Sequence, residues 1–152
     1  MHRVVASFFG SGLILHRLRG SDAGSGTVGS LFALLVSLGI GNALGWTAQL
    51  VATVLVTLAA IWSTRSLAGE VGDASWIVID EAAGTFLATI GLLGWPAILA
   101  LVVFRVADIA KSRATGVSQA EGLPGAWGIT ADDLVAGLYG LAAGHLLRVA
   151  MQ

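Results

Sequence analysis

Five carboxylates that could do chemistry lie inside or beside apolar segments of this chain: Asp80, Glu81, Asp108, Asp132 and Asp133. A charged side chain at the centre of a membrane helix costs about 2.5–3.5 kcal/mol on insertion scales, so acids in such segments indicate a function. Carboxylates gathered at low dielectric repel one another, and a hard divalent cation such as Mg²⁺, Mn²⁺ or Ca²⁺ relieves that repulsion. We therefore predict catalytic roles for all five, with metal ligands among Asp80, Glu81, Asp108 and Asp133.

The segment SDAGSGTVGSL, residues 21–31, carries groups suited to a phosphate. Gly26, Thr27 and Ser30 would place backbone amides and hydroxyls at a helix start, where an anion binds readily. The same small residues are also typical of close packing between membrane helices. We predict substrate-binding roles for these three residues and keep the packing interpretation beside it.

A second phosphate-binding element is predicted in FRVADIAKSR, residues 104–113. Arg105 and Lys111 stand three residues on either side of Asp108, a spacing that aligns all three on one face of a helix. Two cations flanking a carboxylate suit phosphate oxygens. The alternative is a salt-bridge ladder with cations that extend toward water.

Asp132 and Asp133 would fall in the first turn of the last apolar segment. Thr130 could cap that helix, with Asp133 as the acid of a capping box. Capping explains one aspartate better than two, so the metal role is kept beside the capping interpretation. Together, these groups predict metal-dependent chemistry on a phosphorylated lipid, without separating hydrolysis from phosphate transfer.

The composition indicates the kind of scaffold that must position these groups. The chain has 152 residues, of which 56% are hydrophobic and 11% charged, and its mean hydropathy is +0.86. Soluble domains carry about 25% charged residues, so we predict an all-α integral membrane protein formed by a single domain, residues 1–152. A net charge of −1 gives no indication of nucleic-acid binding, and the absence of cysteine excludes disulfides and thiolate ligands.

The gaps between charged residues predict about five transmembrane helices. The first two are placed near residues 26–38 and 45–64, with a turn at 39–46. A helical hairpin near 76–110 follows, going out over 76–93 and returning over 95–110, and the last span runs from about 132 to about 151. The alternative is a single middle span, which would put Asp80 and Arg105 on opposite sides of the membrane.

The sidedness of the charges favours the hairpin. With the N-terminus in the cytoplasm, one basic residue, Arg148, lies outside, as the positive-inside rule prefers. The inner bases are Arg3, Arg17, Arg19, Arg65, Arg105, Lys111 and Arg113. The inner acids are Asp22, Glu70, Asp73, Asp80, Glu81, Asp108, Glu121, Asp132 and Asp133. The first 20 residues lack a cleavage site and are predicted to form an interfacial helix.

Five short motifs resemble the phosphatidylglycerophosphatase A family of bacterial membrane proteins. In order they are FFGSGL (8–13), GTVGSL (26–31), IVIDEAAG (77–84), FRVADIAK (104–111) and GITADDLVAG (128–137). The resemblance implies Mg²⁺-dependent removal of the terminal phosphate from phosphatidylglycerophosphate, giving phosphatidylglycerol. It also implies a multi-pass protein of the bacterial inner membrane, with the active site facing the cytoplasm.

Two other functions are compatible with the same residues. A small cation-coupled transporter could use the carboxylates as an ion site, although its path should carry polar groups to both faces and the predicted outer half is nearly bare. A non-catalytic assembly subunit would tolerate neutralised acids. The residues leave open whether the chain forms a homo-oligomer.

Overall fold

The computed structural model describes residues 2–13, 24–67 and 76–152, with the side chains of Ser112 and Ala126 excepted. Within these ranges the chain is helical and has no strand. The α-helices are α1 His2–Ala6, α2 Ser25–Leu44, α3 Trp46–Leu67, α4 Ile79–Ala88, α5 Gly94–Ile109, α6 Val117–Glu121 and α7 Ala126–Ala150. Short 3₁₀ turns occur at Ser11–Leu13 and Lys111–Arg113.

Helices α2 and α3 are the two described helices that are long and apolar enough to cross a membrane, each with a 20-residue candidate span. Only 28% and 33% of the respective apolar windows are buried inside the protein, so most of this apolar surface faces outward. The predicted turn at 39–46 is wrong in extent. Helix α2 continues to Leu44, and Gly45, with φ of 85°, makes the whole break. Glycine adopts this left-handed conformation without the steric penalty of a side chain.

The predicted hairpin takes a shorter form than expected. Helix α4 has ten residues and α5 has sixteen, so they extend about 15 Å and about 24 Å against a hydrocarbon core of about 30 Å. The segment 76–78 precedes α4 as non-helical chain, and Val78 N–H donates to Ala6 O at 2.9 Å. The prediction of about five spans is therefore matched in part, by an all-helical fold with two helices of spanning character.

The N-terminal segment, residues 2–13, is not one interfacial helix. Only His2–Ala6 is α-helical. The chain then turns through Phe8 and Phe9, which both have positive φ. Ala6 and Phe8 are buried against α2, α3 and α4, so this segment forms part of the core. The predictions for Arg17, Arg19, Asp22, Glu70 and Asp73 fall outside the described residues.

Helix α7 packs against three other helices, α4, α5 and α6, in the half of the molecule that contains the predicted catalytic carboxylates. Small residues allow these contacts. A Cβ on Gly137 would lie 2.7 Å from Gly84 O, so the backbones of α4 and α7 touch directly. The core between α5 and α7 includes Ala97, Ala100 and Ala136. Close packing of this kind brings groups from separate helices within bonding distance of one another.

The opposite end of the bundle contains a buried network of uncharged polar groups. The Gln49 amide donates to Ser37 O at 3.0 Å and accepts from Gly91 N–H at 2.9 Å. The hydroxyls of Ser37 and Thr89 lie 2.8 Å apart. This network fixes the C-terminal end of α4 and its turn. Polar groups are therefore buried at the end of the bundle where the sequence predicted almost none.

Candidate active site

The start of α4 positions the first two carboxylates. Asp80 and Glu81 occupy its first turn, where acids interact favourably with the positive end of the helix dipole. Asp80 is 6% exposed, and its Oδ1 accepts the Glu81 N–H at 3.0 Å. Consecutive helical residues point about 100° apart, so the two side chains diverge around a common space.

Asp133 enters that space from α7. Carboxylate oxygens of Asp80, Glu81 and Asp133 lie within 4.8 Å of one another, and we call these residues the acidic trio. The trio assembles because α4 and α7 touch at Gly84, where a Cβ would lie 2.7 Å from Asp133 O. Gly84, one turn after Asp80, therefore lets α7 approach the paired acids closely.

The acidic trio fits a bound cation. Glu81 Oε2 and Asp133 Oδ1 are buried, and no hydrogen-bond donor reaches them from the described residues. Buried carboxylate oxygens without donors are costly, and mutual repulsion adds to that cost. A hard divalent cation prefers oxygen ligands and relieves both problems. The trio includes three of the four predicted metal ligands.

Asp108, the fourth predicted ligand, lines the same cavity with a different partner. Its Oδ2 lies 2.7 Å from Arg105 Nη1, and the same Nη1 lies 3.8 Å from Glu81 Oε1. The predicted alignment of Arg105 and Asp108 on one face of α5 is confirmed. Arg105 thus connects Asp108 to the acidic trio, and its Nε lacks an acceptor among the described residues.

Lys111 does not continue the face of α5, because that helix ends at Ile109. The predicted three-residue ladder is wrong at this point. Lys111 Nζ instead lies 2.6 Å from Asp132 Oδ2 and 3.3 Å from Glu121 Oε1. Burial alone lowers the pKa of Lys111, but hydrogen bonds and charges from Asp132 and Glu121 outweigh it and raise this pKa above its usual range. Lys111 is therefore a permanent cation at the cavity wall.

Helix α7 begins six residues earlier than its two aspartates suggested, at Ala126. Asp132 and Asp133 accordingly lie about two turns into the helix, and Thr130 is inside it. The capping-box interpretation of Thr130 and Asp133 is wrong, since Thr130 Oγ1 is buried with no partner in the described part of the chain. Asp132 Oδ1 accepts the Asp133 N–H at 2.8 Å.

Of the three residues on α2 that were predicted to bind the substrate phosphate, the structure brings only one to the cavity lining. Gly26 lines the cavity, and a Cβ there would overlap Glu81 Oε1. Thr27 is exposed and outside the cavity lining. The Ser30 hydroxyl is buried and donates to Gly26 O at 2.8 Å. Ser25 is buried and lines the cavity, but it was not predicted as a site residue from the sequence. Its position directly after Gly24 was the feature that could have indicated it.

These residues surround an open cavity of about 800 Å³. Ser118 and Glu121 of α6 complete its wall, and sequence reasoning assigned neither to the substrate site. The described lining residues are Gly24, Ser25, Gly26, Ile77, Asp80, Glu81, Arg105, Asp108, Ile109, Lys111, Ser118, Glu121, Gly125, Ile129, Asp132 and Asp133. Acceptors for a cation and donors for an anion therefore face one space.

Comparison with known proteins relates this chain to one family and to one curated relative. The family described as Phosphatidylglycerophosphatase A matches residues 4–148. A relative from Bacteroides thetaiotaomicron, named "Putative phosphatidylinositol-3-phosphatase", is 32% identical over 146 residues, covering 90% of this chain and 86% of the relative. No solved structure matched the chain.

Proposed function

The chain belongs to the phosphatidylglycerophosphatase A family, and on that premise we propose that it hydrolyses the terminal phosphate of phosphatidylglycerophosphate. The products are phosphatidylglycerol and inorganic phosphate, which makes the protein a phosphoric monoester hydrolase of phospholipid biosynthesis. The observation that carries the proposal is the cavity in which the acidic trio faces Arg105 and Lys111.

The acidic trio and Arg105 have different roles in the proposed reaction. Asp80, Glu81 and Asp133 would hold a divalent cation, Mg²⁺ in our proposal. When bound, that ion neutralises charge that develops on the phosphate. Arg105 would bind phosphate oxygens, and its contact with Asp108 fixes the orientation of the guanidinium.

The remaining polar groups complete the hydrolytic site. Lys111 contributes a second positive charge, and Asp132 holds it in place at 2.6 Å. A carboxylate at the cavity accepts the proton of the attacking water, as general base catalysis requires, while the water oxygen bonds to phosphorus. The bond between phosphorus and the glycerol oxygen of the lipid breaks, and that departing oxygen takes up a proton. The predicted catalytic contributions of Asp108 and Asp132 therefore become positioning of the two cations.

Substrate choice is proposed from the family rather than from the relative. The family description names phosphatidylglycerophosphate and the match covers residues 4–148. The relative's name specifies an inositol lipid. Both names describe an enzyme that removes phosphate from a lipid headgroup. The same cavity chemistry would serve both reactions, and the headgroup distinguishes the two substrates.

We further propose a multi-pass protein of the bacterial inner membrane, with the site at the cytoplasmic face. Helices α2 and α3 are apolar enough to span and expose most of their apolar surface. The site lies near the N-terminal ends of α2 and α4, where a lipid headgroup at the interface would reach it. The comparisons give the transporter alternative no support.

The proposal is tested by phosphate release from phosphatidylglycerophosphate by the purified protein, with and without a chelator. Asp80→Asn and Glu81→Gln preserve side-chain volume and remove a charge, so each should abolish release while abundance stays unchanged or rises. Arg148→Ala removes a charge from the opposite end and is the matched control.

The metal requirement needs a second measurement on the same proteins. Mg²⁺ should raise the unfolding temperature of the wild type, and Asp80→Asn should lose that increase because binding to the native state alone stabilises it. Chelation should remove wild-type activity, and added Mg²⁺ should restore it. Full activity in chelator, or in both variants, would refute the metal assignment.

A further inference from the structure

Ser25 has a hydroxyl group that the fold leaves without a partner. It is the first residue of α2, it is 1% exposed, and it lines the cavity. No hydrogen-bond partner reaches its Oγ within the part of the chain that the structure describes. Buried polar side chains are nearly always paired, so this hydroxyl indicates a ligand in the cavity.

Two backbone N–H groups at the start of α2 are further donors that face no intrahelical acceptor. The helical hydrogen bonds begin with Thr27 and Val28, whose N–H groups donate to Gly24 O at 3.0 Å and 3.2 Å. The N–H groups of Ser25 and Gly26 precede the intrahelical hydrogen-bond ladder of this 20-residue helix. A helix start of this kind carries partial positive charge and favours an anion.

Arg105 adjoins this corner of the cavity. A Cβ placed on Gly26 would lie 3.1 Å from Arg105 Nη2, and Arg105 Nε lacks an acceptor among the described residues. Glu81 lies beside this corner, because a Cβ on Gly26 would overlap its Oε1. The oxygens without donors, Glu81 Oε2 and Asp133 Oδ1, belong to residues that line the same cavity. Unpaired donors and unpaired acceptors in one cavity are complementary to an anion bound next to a cation.

We propose that Ser25 Oγ–H, together with the backbone N–H groups at the start of α2, binds an oxygen of the phosphate group. The ligand class is a phosphomonoester or free inorganic phosphate, which present the same oxygens. For the lipid substrate, this inference rests on the proposed function. For inorganic phosphate, it does not depend on that function. It replaces the exposed Thr27 with Ser25 as the hydroxyl donor on α2.

The experiment compares Ser25→Ala with a matched serine variant in the purified full chain. Ser63→Ala is the control, because Ser63 is also buried but its hydroxyl donates to Ala59 O at 2.8 Å within its own helix. Binding of inorganic phosphate in the presence of Mg²⁺ is measured by the rise in unfolding temperature. Hydrolysis of phosphatidylglycerophosphate and its inhibition by phosphate are measured in parallel.

Ser25→Ala should weaken phosphate binding and raise KM by about tenfold or more, since a hydrogen bond to a charged group is among the stronger ones. Without phosphate, the variant should unfold at the same or a higher temperature, because it removes a buried hydroxyl that has no partner. Loss of ligand binding without loss of stability distinguishes a ligand contact from a structural role. Ser63→Ala should leave phosphate binding unchanged.

Each outcome has a definite meaning. Wild-type phosphate affinity in Ser25→Ala would overturn the inference and leave Glu81 as the anion that interacts with the start of α2. A lower unfolding temperature without phosphate would overturn it as well, in favour of a structural hydroxyl. If the wild type binds phosphate but releases none from the lipid, the proposed function fails while the phosphate comparison still decides the role of Ser25.

Discussion

Gly26→Ala is the substitution for which the structure predicts the clearest separation of activity from folding. The added methyl would overlap Glu81 Oε1 and lie 2.9 Å from the carboxylate carbon. Glu81 Cδ is near the end of a flexible side chain and can swing away, so folding should survive. Alanine also favours helix by up to about 1 kcal/mol relative to glycine in a helix interior.

The expected loss of activity follows from that distance. Non-bonded carbon atoms pack at about 3.5–4.0 Å, so the Glu81 carboxylate must retreat by about 1 Å. A displacement of about 1 Å in a catalytic group can lower the rate by about a hundredfold. This corresponds to about 2.7 kcal/mol of transition-state stabilisation. The Mg²⁺ concentration needed for half activity should also rise, because Glu81 belongs to the acidic trio.

The assay is phosphate release from phosphatidylglycerophosphate as a function of Mg²⁺ concentration, with thermal unfolding measured on the same samples. Gly39→Ala is the matched control: it lies on the same helix, and a Cβ there has no atom within 4 Å. It should retain wild-type kinetics. Wild-type kcat/KM and Mg²⁺ dependence in Gly26→Ala would refute the placement of Glu81 beside α2.

Three further predictions concern the cations, the topology and the polar network. Arg105→Ala should lower kcat/KM by about tenfold to over a hundredfold, since a charge-assisted contact contributes about 1.5–3 kcal/mol. Arg148→Ala should have little effect, and equal losses of kcat/KM in the two variants would contradict the prediction. A cysteine at Ser118 should react with an impermeant thiol reagent from the cytoplasm and one at Gly94 from outside; labelling from the same side would contradict the hairpin. Gln49→Leu should lower the free energy of unfolding by at least about 1–3 kcal/mol by leaving buried groups unpaired, and an unchanged denaturation midpoint would contradict the role of the network.

The residues of the site could be predicted from sequence because charged groups are conspicuous in apolar segments. Asp80, Glu81 and Asp133 stood out for that reason, and the structure groups them. The ion pair of Arg105 with Asp108 followed from helical spacing alone. In each case the signal is local, either a charge in an apolar run or a spacing of three residues.

The remaining features depend on where helices end and on contacts between distant segments. Lys111 was assigned to α5 because no glycine or proline marks the end of that helix at Ile109. The early start of α7 at Ala126 places Thr130 inside the helix, where a capping residue was expected. Ser25 was missed because a serine beside glycines is typical of helix packing as well as of a binding site. Its unpaired hydroxyl is visible only once the cavity is assembled.

The balance of charges in the cavity explains why directed donors are needed. Among the described lining residues, six carboxylates outnumber the two cations Arg105 and Lys111 by four. If all are ionised, one divalent cation still leaves a net charge of about −2, which repels a phosphate dianion. Attraction by overall charge therefore cannot hold the substrate. Binding must depend on donors aimed at the phosphate oxygens, such as Ser25 and Arg105, and on a cation bound directly beside them. The affinity for phosphate should consequently rise with Mg²⁺ concentration, because bound Mg²⁺ reduces the repulsion between the cavity carboxylates and the phosphate dianion.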